Sequence, residues 1–179
     1  MRLQEAYKKQ IVPKLKEKFG HKSNMAVPRV AKAVINVGFG RQNKEKDFID
    51  NVASSLARIS GQKPIFTIAK KAIASFKTRK GMVIGAAVTL RGKRMYDFID
   101  KLINISFPRV RDFRGISDKQ VDANGNLTIG FRENASFPEI SADELEKAHG
   151  LEICLPTTSK NREEGLELFK LMGFPFKKD

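Results

Sequence analysis

The 179-residue chain predicts an α+β fold, a largely antiparallel mixed sheet with helices packed on one face and the other face open. Three observations carry that prediction. Apolar segments of strand length interleave with segments of helical periodicity. Several connections are too short to hold a crossover helix, which argues against parallel pairing. Neither an internal repeat nor a low-complexity linker divides the chain, so one domain over residues 1–179 is the economical reading. Within it, an N-terminal helix is expected over 1–20, a basic part over 21–114 and an acidic part over 115–179.

The elements follow in order. Leu3, Ala6, Tyr7, Ile11, Val12 and Leu15 recur at helical spacing, and Gly20 is a natural stop. Pro13 falls inside that run and should kink the helix or open a second short one. Residues 30–38 read as a strand. Residues 44–59 form an amphipathic helix with Phe48, Val52, Leu56 and Ile59 on one stripe, ended by Gly61. Residues 64–69 read as a strand, 70–81 as a basic loop without a strong period, and 83–90 as a strand ended by Gly92. Met95, Phe98, Ile99, Leu102 and Ile103 mark a helix that stops before Pro108. Residues 107–115 have no regular pattern. Asn124-Gly125 signals a hairpin turn, after which Leu127, Ile129 and Phe131 alternate. Ser141 with Glu144 predicts a capping box, 151–155 a strand, and Asn161 with Glu164 the cap of a last helix carrying Leu166, Phe169 and Met172.

Charge separates the chain into blocks. Residues 1–62 carry 13 Lys+Arg against 5 Asp+Glu, and residues 63–114 carry 13 against 3. Residues 115–179 reverse the balance, with 8 against 12. A block-wise positive field attracts polyanions, so nucleic acid is the first partner to consider. Hydrophobic residues make up 41% of the chain and Phe alone numbers 13, enough to build a core and to exclude a disordered basic tail. No apolar run reaches membrane-spanning length, so no membrane partner is expected. The opening Met-Arg-Leu-Gln-Glu has neither an apolar segment nor a small-residue cleavage site, and no secretory signal is expected. One Cys excludes an internal disulfide and points to the reducing cytosol. With only His21 and His149 beside it, no zinc spacing exists; no metal and no cofactor are expected.

Motifs for catalysis are wanting. Gly38-Phe-Gly40 lacks the third Gly and the downstream acidic residue of a dinucleotide site, and reads as a turn. Cys154 lies in an apolar strand with no His to activate it, as a buried core Cys would. A nuclease would need acidic metal ligands in the basic block, where only Asp97, Asp100 and Asp112 are acidic from 63 onward. Asp97 and Asp100 lie one helical turn apart beside Arg94 and Lys101, which suits surface ion pairs. The chain is therefore expected not to be an enzyme. By contrast, Lys63, Lys70, Lys71, Lys77, Arg79 and Lys80 form a dense phosphate-seeking set interleaved with Phe66 and Phe76. Phe66 suits the core; Phe76 suits either a core or a stacking role. Arg109, Arg111 and Arg114 flank Asp112 and can make bidentate contacts, one of them with Asp112 itself. Asn36, Gln62 and Thr89 are short polar groups near strand edges that can bond bases, riboses or phosphates.

Eight motifs then occur in order: Val27-Pro-Arg-Val30, Asn36-Val-Gly-Phe-Gly40, Ile59-Ser-Gly-Gln-Lys-Pro64, Phe76-Lys-Thr-Arg-Lys-Gly81, Val88-Thr-Leu-Arg-Gly92, Phe107-Pro-Arg-Val-Arg-Asp-Phe-Arg-Gly115, Phe137-Pro-Glu-Ile140 and Phe174-Pro-Phe176. With them the chain resembles, over essentially its whole length, the bacterial form of large-subunit ribosomal protein five, the family that binds 5S rRNA. The resemblance implies a structural role in the central protuberance of the large subunit, beside 23S rRNA and neighbouring large-subunit proteins, ribosome-bound in the cytoplasm. It implies 5S rRNA contacts at Asn36, Gln62, Lys63, Thr67, Lys70, Thr89 and Arg91. It implies a loop over 72–83 that reaches peptidyl-site tRNA with Ser75, Phe76, Lys77, Thr78, Arg79 and Lys80. It also implies a bridge to a small-subunit head protein through Arg109, Arg111, Arg114, Glu139, Asp143 and Glu144, the acidic residues offering negative surface to a basic partner. A basic RNA-binding regulatory or chaperone module acting off the ribosome is the alternative.

Overall fold

A computed structural model describes residues 3–40, 45–140 and 148–177. Helices α1 (Leu3–Ala6) and α2 (Val12–Phe19) are joined by a π-type turn over Tyr7–Ile11. The expected stripe is buried at Leu3, Tyr7, Ile11 and Leu15. Pro13 is accommodated within the first turn of α2, because the Val12 amide donates five residues back, to the Tyr7 carbonyl. A helical proline lacks its own amide and crowds the carbonyl four residues before it; a wider turn just ahead relieves both. The same device recurs. Helix α4 (Gly92–Lys101) passes through a π-type turn, Leu102–Ser106, into α5 (Phe107–Arg109), with the Phe107 amide on the Leu102 carbonyl. The helix expected to stop before Pro108 therefore continues through it to Arg109. Gly92, expected to end a strand, instead opens α4 with φ of +57°.

Strands β1 (Ala33–Gly38), β2 (Ile65–Ile68), β3 (Val83–Leu90), β4 (Leu127–Phe131) and β5 (Leu151–Leu155) form one sheet in the order β2-β3-β1-β5-β4. With helices α3 (Lys46–Ser60) and α6 (Arg162–Leu171), this is the α+β fold with an antiparallel sheet. The strand expected over 30–38 begins only at Ala33, since Val30 is diverted into a single antiparallel bridge with Thr157.

The chain divides into two compact units. The first holds residues 3–33, 90–129 and 154–177; the second holds 34–89 and 130–153 as far as they are described. In the first unit, Phe174 meets Phe107 and Phe169 edge-on at centroid distances of 6.2 and 5.3 Å. The Tyr7 hydroxyl donates to the Pro28 carbonyl at 2.9 Å, and Lys18 pairs with Glu167 at 2.8 Å. Gly125, in the expected turn at φ of +75°, packs directly on Gly165 of α6: a Cβ on Gly165 would collide with the Gly125 backbone, and one on Gly125 with the Ser159 hydroxyl and the Asn161 carbonyl. The expected cap of α6 is not made. Among the described residues Asn161 makes no side-chain cap bond, and Glu164 instead accepts the Lys160 amide at 3.2 Å. Ser141 and Glu144 lie outside the described residues.

In the second unit, β1 buries Ile35 and Val37, β3 buries Ala86 and Val88, and α3 buries Val52, Leu56 and Ile59. Phe48 of α3 meets Phe39 edge-on at 6.4 Å. His149 is buried here, its Nδ1 3.4 Å from Asn134 Nδ2.

Candidate nucleic-acid interface

The alternation that buries Ile35, Val37, Ala86 and Val88 turns Val34, Asn36 and Gly38 of β1 and Gly85, Ala87 and Thr89 of β3 to the opposite face. Register extends that face to the edge strand, where Ile65 pairs with Ala87 and Thr67 with Gly85. Asn36 and Thr89 are half-buried and Thr67 exposed. Among the described residues their side chains bond no protein group, which leaves their hydrogen-bonding capacity for a ligand. Between them lies a floor of Gly38 and Ala87, with Gly85 buried beneath Thr67. A Cβ on Gly85 would stand 2.7 Å from Thr67 Oγ1 and 2.8 Å from the Val37 carbonyl, so only glycine lets Thr67 lie across β3. A low floor set with short polar groups admits a nucleic-acid backbone close to the sheet.

Gln62 is brought to the same place by the end of α3. Gly61 closes the helix with φ of +65°, its amide on the Ala57 carbonyl at 2.8 Å. The Ser60 hydroxyl donates to the Leu56 carbonyl at 2.6 Å and accepts the Gln62 amide at 3.2 Å. Gln62 Nε2 then donates to the Thr89 carbonyl at 3.4 Å. Lys63 and Lys70 stand exposed at the two ends of β2 and make no ion pair among the described residues. Asn36, Gln62, Lys63, Thr67, Lys70 and Thr89 thus all belong to the second unit. Arg91, exposed just beyond β3, belongs to the first.

Residues 70–81, expected as an irregular loop, are a formed turn. Ile73 and Thr78 exchange backbone bonds of 3.1 and 3.2 Å, Ala74–Phe76 make a 3₁₀ turn, and Lys77 adopts φ of +52°. Thr78 is half-buried, while Ser75, Phe76, Lys77, Arg79 and Lys80 are exposed. Phe66, expected in the core, is 41% exposed, because β2 is an edge strand that has β3 as its single strand neighbour among the described residues. Cys154, expected to be buried, is half-buried, with the Thr128 hydroxyl 3.8 Å from its sulfur.

Of the residues implied in a bridge, Arg109, Arg111 and Arg114 are exposed in the first unit. Their segment is anchored by Phe113 stacked on Phe107 at 5.1 Å and by Gly115, which lies against the backbone of Phe176 and Lys177. Glu139 is half-buried in the second unit, and Asp143 and Glu144 lie outside the described residues. No single unit assembles this set.

Reading by residue type passed over Val34, Gly38, Gly85, Ala87 and Ile65, which make the surface around the polar groups. Counting by twos from Asn36 and Thr89 finds the first four. A second signal is electrostatic: residues 51–96 contain ten Lys+Arg and no Asp or Glu. No helix among the described residues is long and apolar enough to cross a membrane.

Two family models together cover most of the chain: Ribosomal protein L5 over residues 23–79, and the C-terminus of the same ribosomal family over 83–176. The chain belongs to the ribosomal protein L5 family. Similar proteins include the large ribosomal subunit protein uL5 of Halothermothrix orenii, 53% identical over 97% of both chains. That of Syntrophomonas wolfei is 51% identical, covering 98% of this chain and 99% of its own. That of Streptococcus thermophilus is 50% identical over 99% and 98%. Membership of the L5 family makes the chain a structural ribosomal protein and not an enzyme.

Proposed function

We propose that the chain is a constituent of the large ribosomal subunit that binds 5S rRNA in the central protuberance, ribosome-bound in the cytoplasm. The observation that carries this reading is the open face of the second unit. Asn36, Thr67 and Thr89 stand over a glycine and alanine floor, with Gln62, Lys63 and Lys70 at its border, and the sequence from residue 51 to residue 96 holds no carboxylate. Cations there neutralise crowded phosphates and release counterions, while the short polar groups require a defined RNA shape. Arg91 adds a further cation.

The turn bearing Ser75 to Lys80 is the element that reaches peptidyl-site tRNA. Arg109, Arg111 and Arg114, with Glu139, Asp143 and Glu144, serve the contact with a small-subunit head protein. The remaining basic surface meets 23S rRNA and neighbouring large-subunit proteins, and the chain acts in this as one RNA-binding domain.

Titration of the full chain against 5S rRNA, a tRNA and an unrelated RNA of equal length, at two salt concentrations, tests the reading. Binding to 5S rRNA that stays selective at the higher salt is expected. Equal affinities that collapse together with salt would reduce the interface to unspecific attraction and favour the off-ribosome alternative.

A further inference from the structure

We infer that Phe76 is a stacking plate, which lays its ring on an unpaired base or on the open end of a base pair in a folded RNA. This rests on the reading of the 70–81 turn as a tRNA-contacting element and adds the chemistry of its tip.

Phe76 is 72% exposed, against 41% for Phe66 at the sheet edge. It is not displayed by a loose loop. The backbone exchange between Ile73 and Thr78 closes the turn, the Lys77 amide donates to the Ala74 carbonyl at 3.0 Å, and the Thr78 hydroxyl donates to the Ile73 carbonyl at 3.4 Å. Behind it the Gly81 amide returns to the Ala69 carbonyl at 2.9 Å. Lys77, directly after the ring, sits in the left-handed region at φ of +52°, a conformation unfavourable for a residue with a Cβ. The backbone thus holds an apolar ring out in solvent at a local cost, and much of the ordering a partner would require is already done.

The surroundings select the partner. Lys77, Arg79 and Lys80 are exposed beside the ring, and no carboxylate occurs anywhere from residue 51 to residue 96. An apolar pocket on another protein could take a Phe, but it gives no reason for a rim of cations alone. A nucleic acid explains both: phosphates take the cations, and every base offers a π face to the ring.

The test uses the full chain carrying Phe76→Leu, Phe76→Trp or Lys77→Gln with Arg79→Gln. Each is titrated with tRNA and with 5S rRNA across a range of salt, after its melting temperature is shown to match the parent chain. Stacking on one base corresponds to roughly a 5- to 150-fold loss of tRNA affinity in Phe76→Leu. That loss should leave the slope of log affinity against log salt unchanged, and Phe76→Trp should bind like the parent. The double Gln variant should instead flatten the slope. If Phe76→Leu binds both RNAs like the parent, or Phe76→Trp is as weak as Phe76→Leu, stacking is overturned. If Phe76→Leu loses affinity for 5S rRNA alone, stacking stands and the tRNA assignment fails. If the double Gln variant loses tRNA affinity and Phe76→Leu does not, the tRNA assignment stands and stacking fails.

Discussion

Gln62 shows how little of a residue's role its type discloses. Asparagines and glutamines beside strands are ordinary turn chemistry in most chains. Here Ser60 and Gly61 finish α3 so that the Gln62 side chain reaches the carbonyl of Thr89, whose own side chain lies on the open face. Replacing Gln62 or Thr89 by Ala would leave a polar partner unsatisfied in the proposed interface. Each change should weaken 5S rRNA binding by about 1–3 kcal/mol, measured by filter binding. Unchanged affinity in both variants would remove these residues from the interface.

Tyr7 is a buried phenol in the first unit. Burial, then the neighbouring Tyr96, pushes its phenol up from 10.0 to about 12, against the opposing pull of Arg29. The folded state therefore keeps a proton that the unfolded chain releases above its ordinary value. Stability from this group is complete below pH 10.0 and is lost as pH rises toward about 12. Tyr7→Phe should cost about 1 kcal/mol at neutral pH through the bond to Pro28. It should also flatten the expected alkaline fall in stability, as measured by chemical denaturation across pH. A variant whose alkaline curve parallels the parent's would show that other groups govern that limb.

Among the elements, proline and glycine carried most of what could be read in advance, and also most of the errors. Gly20 and Gly61 end helices as their positions suggested, because both adopt the left-handed conformation that a C-terminal stop needs. Pro108 misled, since a proline forbids only the regular helical bond and a π-type turn evades the prohibition. Asn161 misled because Glu164 could reach the Lys160 amide instead. The contact of Gly125 with Gly165 left no local mark at all. Gly165→Ala on a free helix surface would add up to about 1 kcal/mol of stability through propensity. Against the Gly125 backbone the same methyl should destabilise by about 1–3 kcal/mol, lowering the urea midpoint with little change in slope. A raised midpoint would show that the two elements do not meet closely.

For the molecule as a whole, the local sequence determined the class of fold, most strand and helix positions, and the choice of a polyanion as partner. These rest on quantities that add along the chain: apolar periodicity, turn residues and block charge. The eight ordered motifs carried the family. Neighbours in space were set by the folding of the whole chain. It made β2 an edge strand and so exposed Phe66, and it closed the 70–81 segment into a turn that presents Phe76. It set Thr67 across Gly85 to complete the polar face. Sheet order and cross-strand register join residues far apart in sequence, and periodicity reports only which way a side chain points, never what stands beside it.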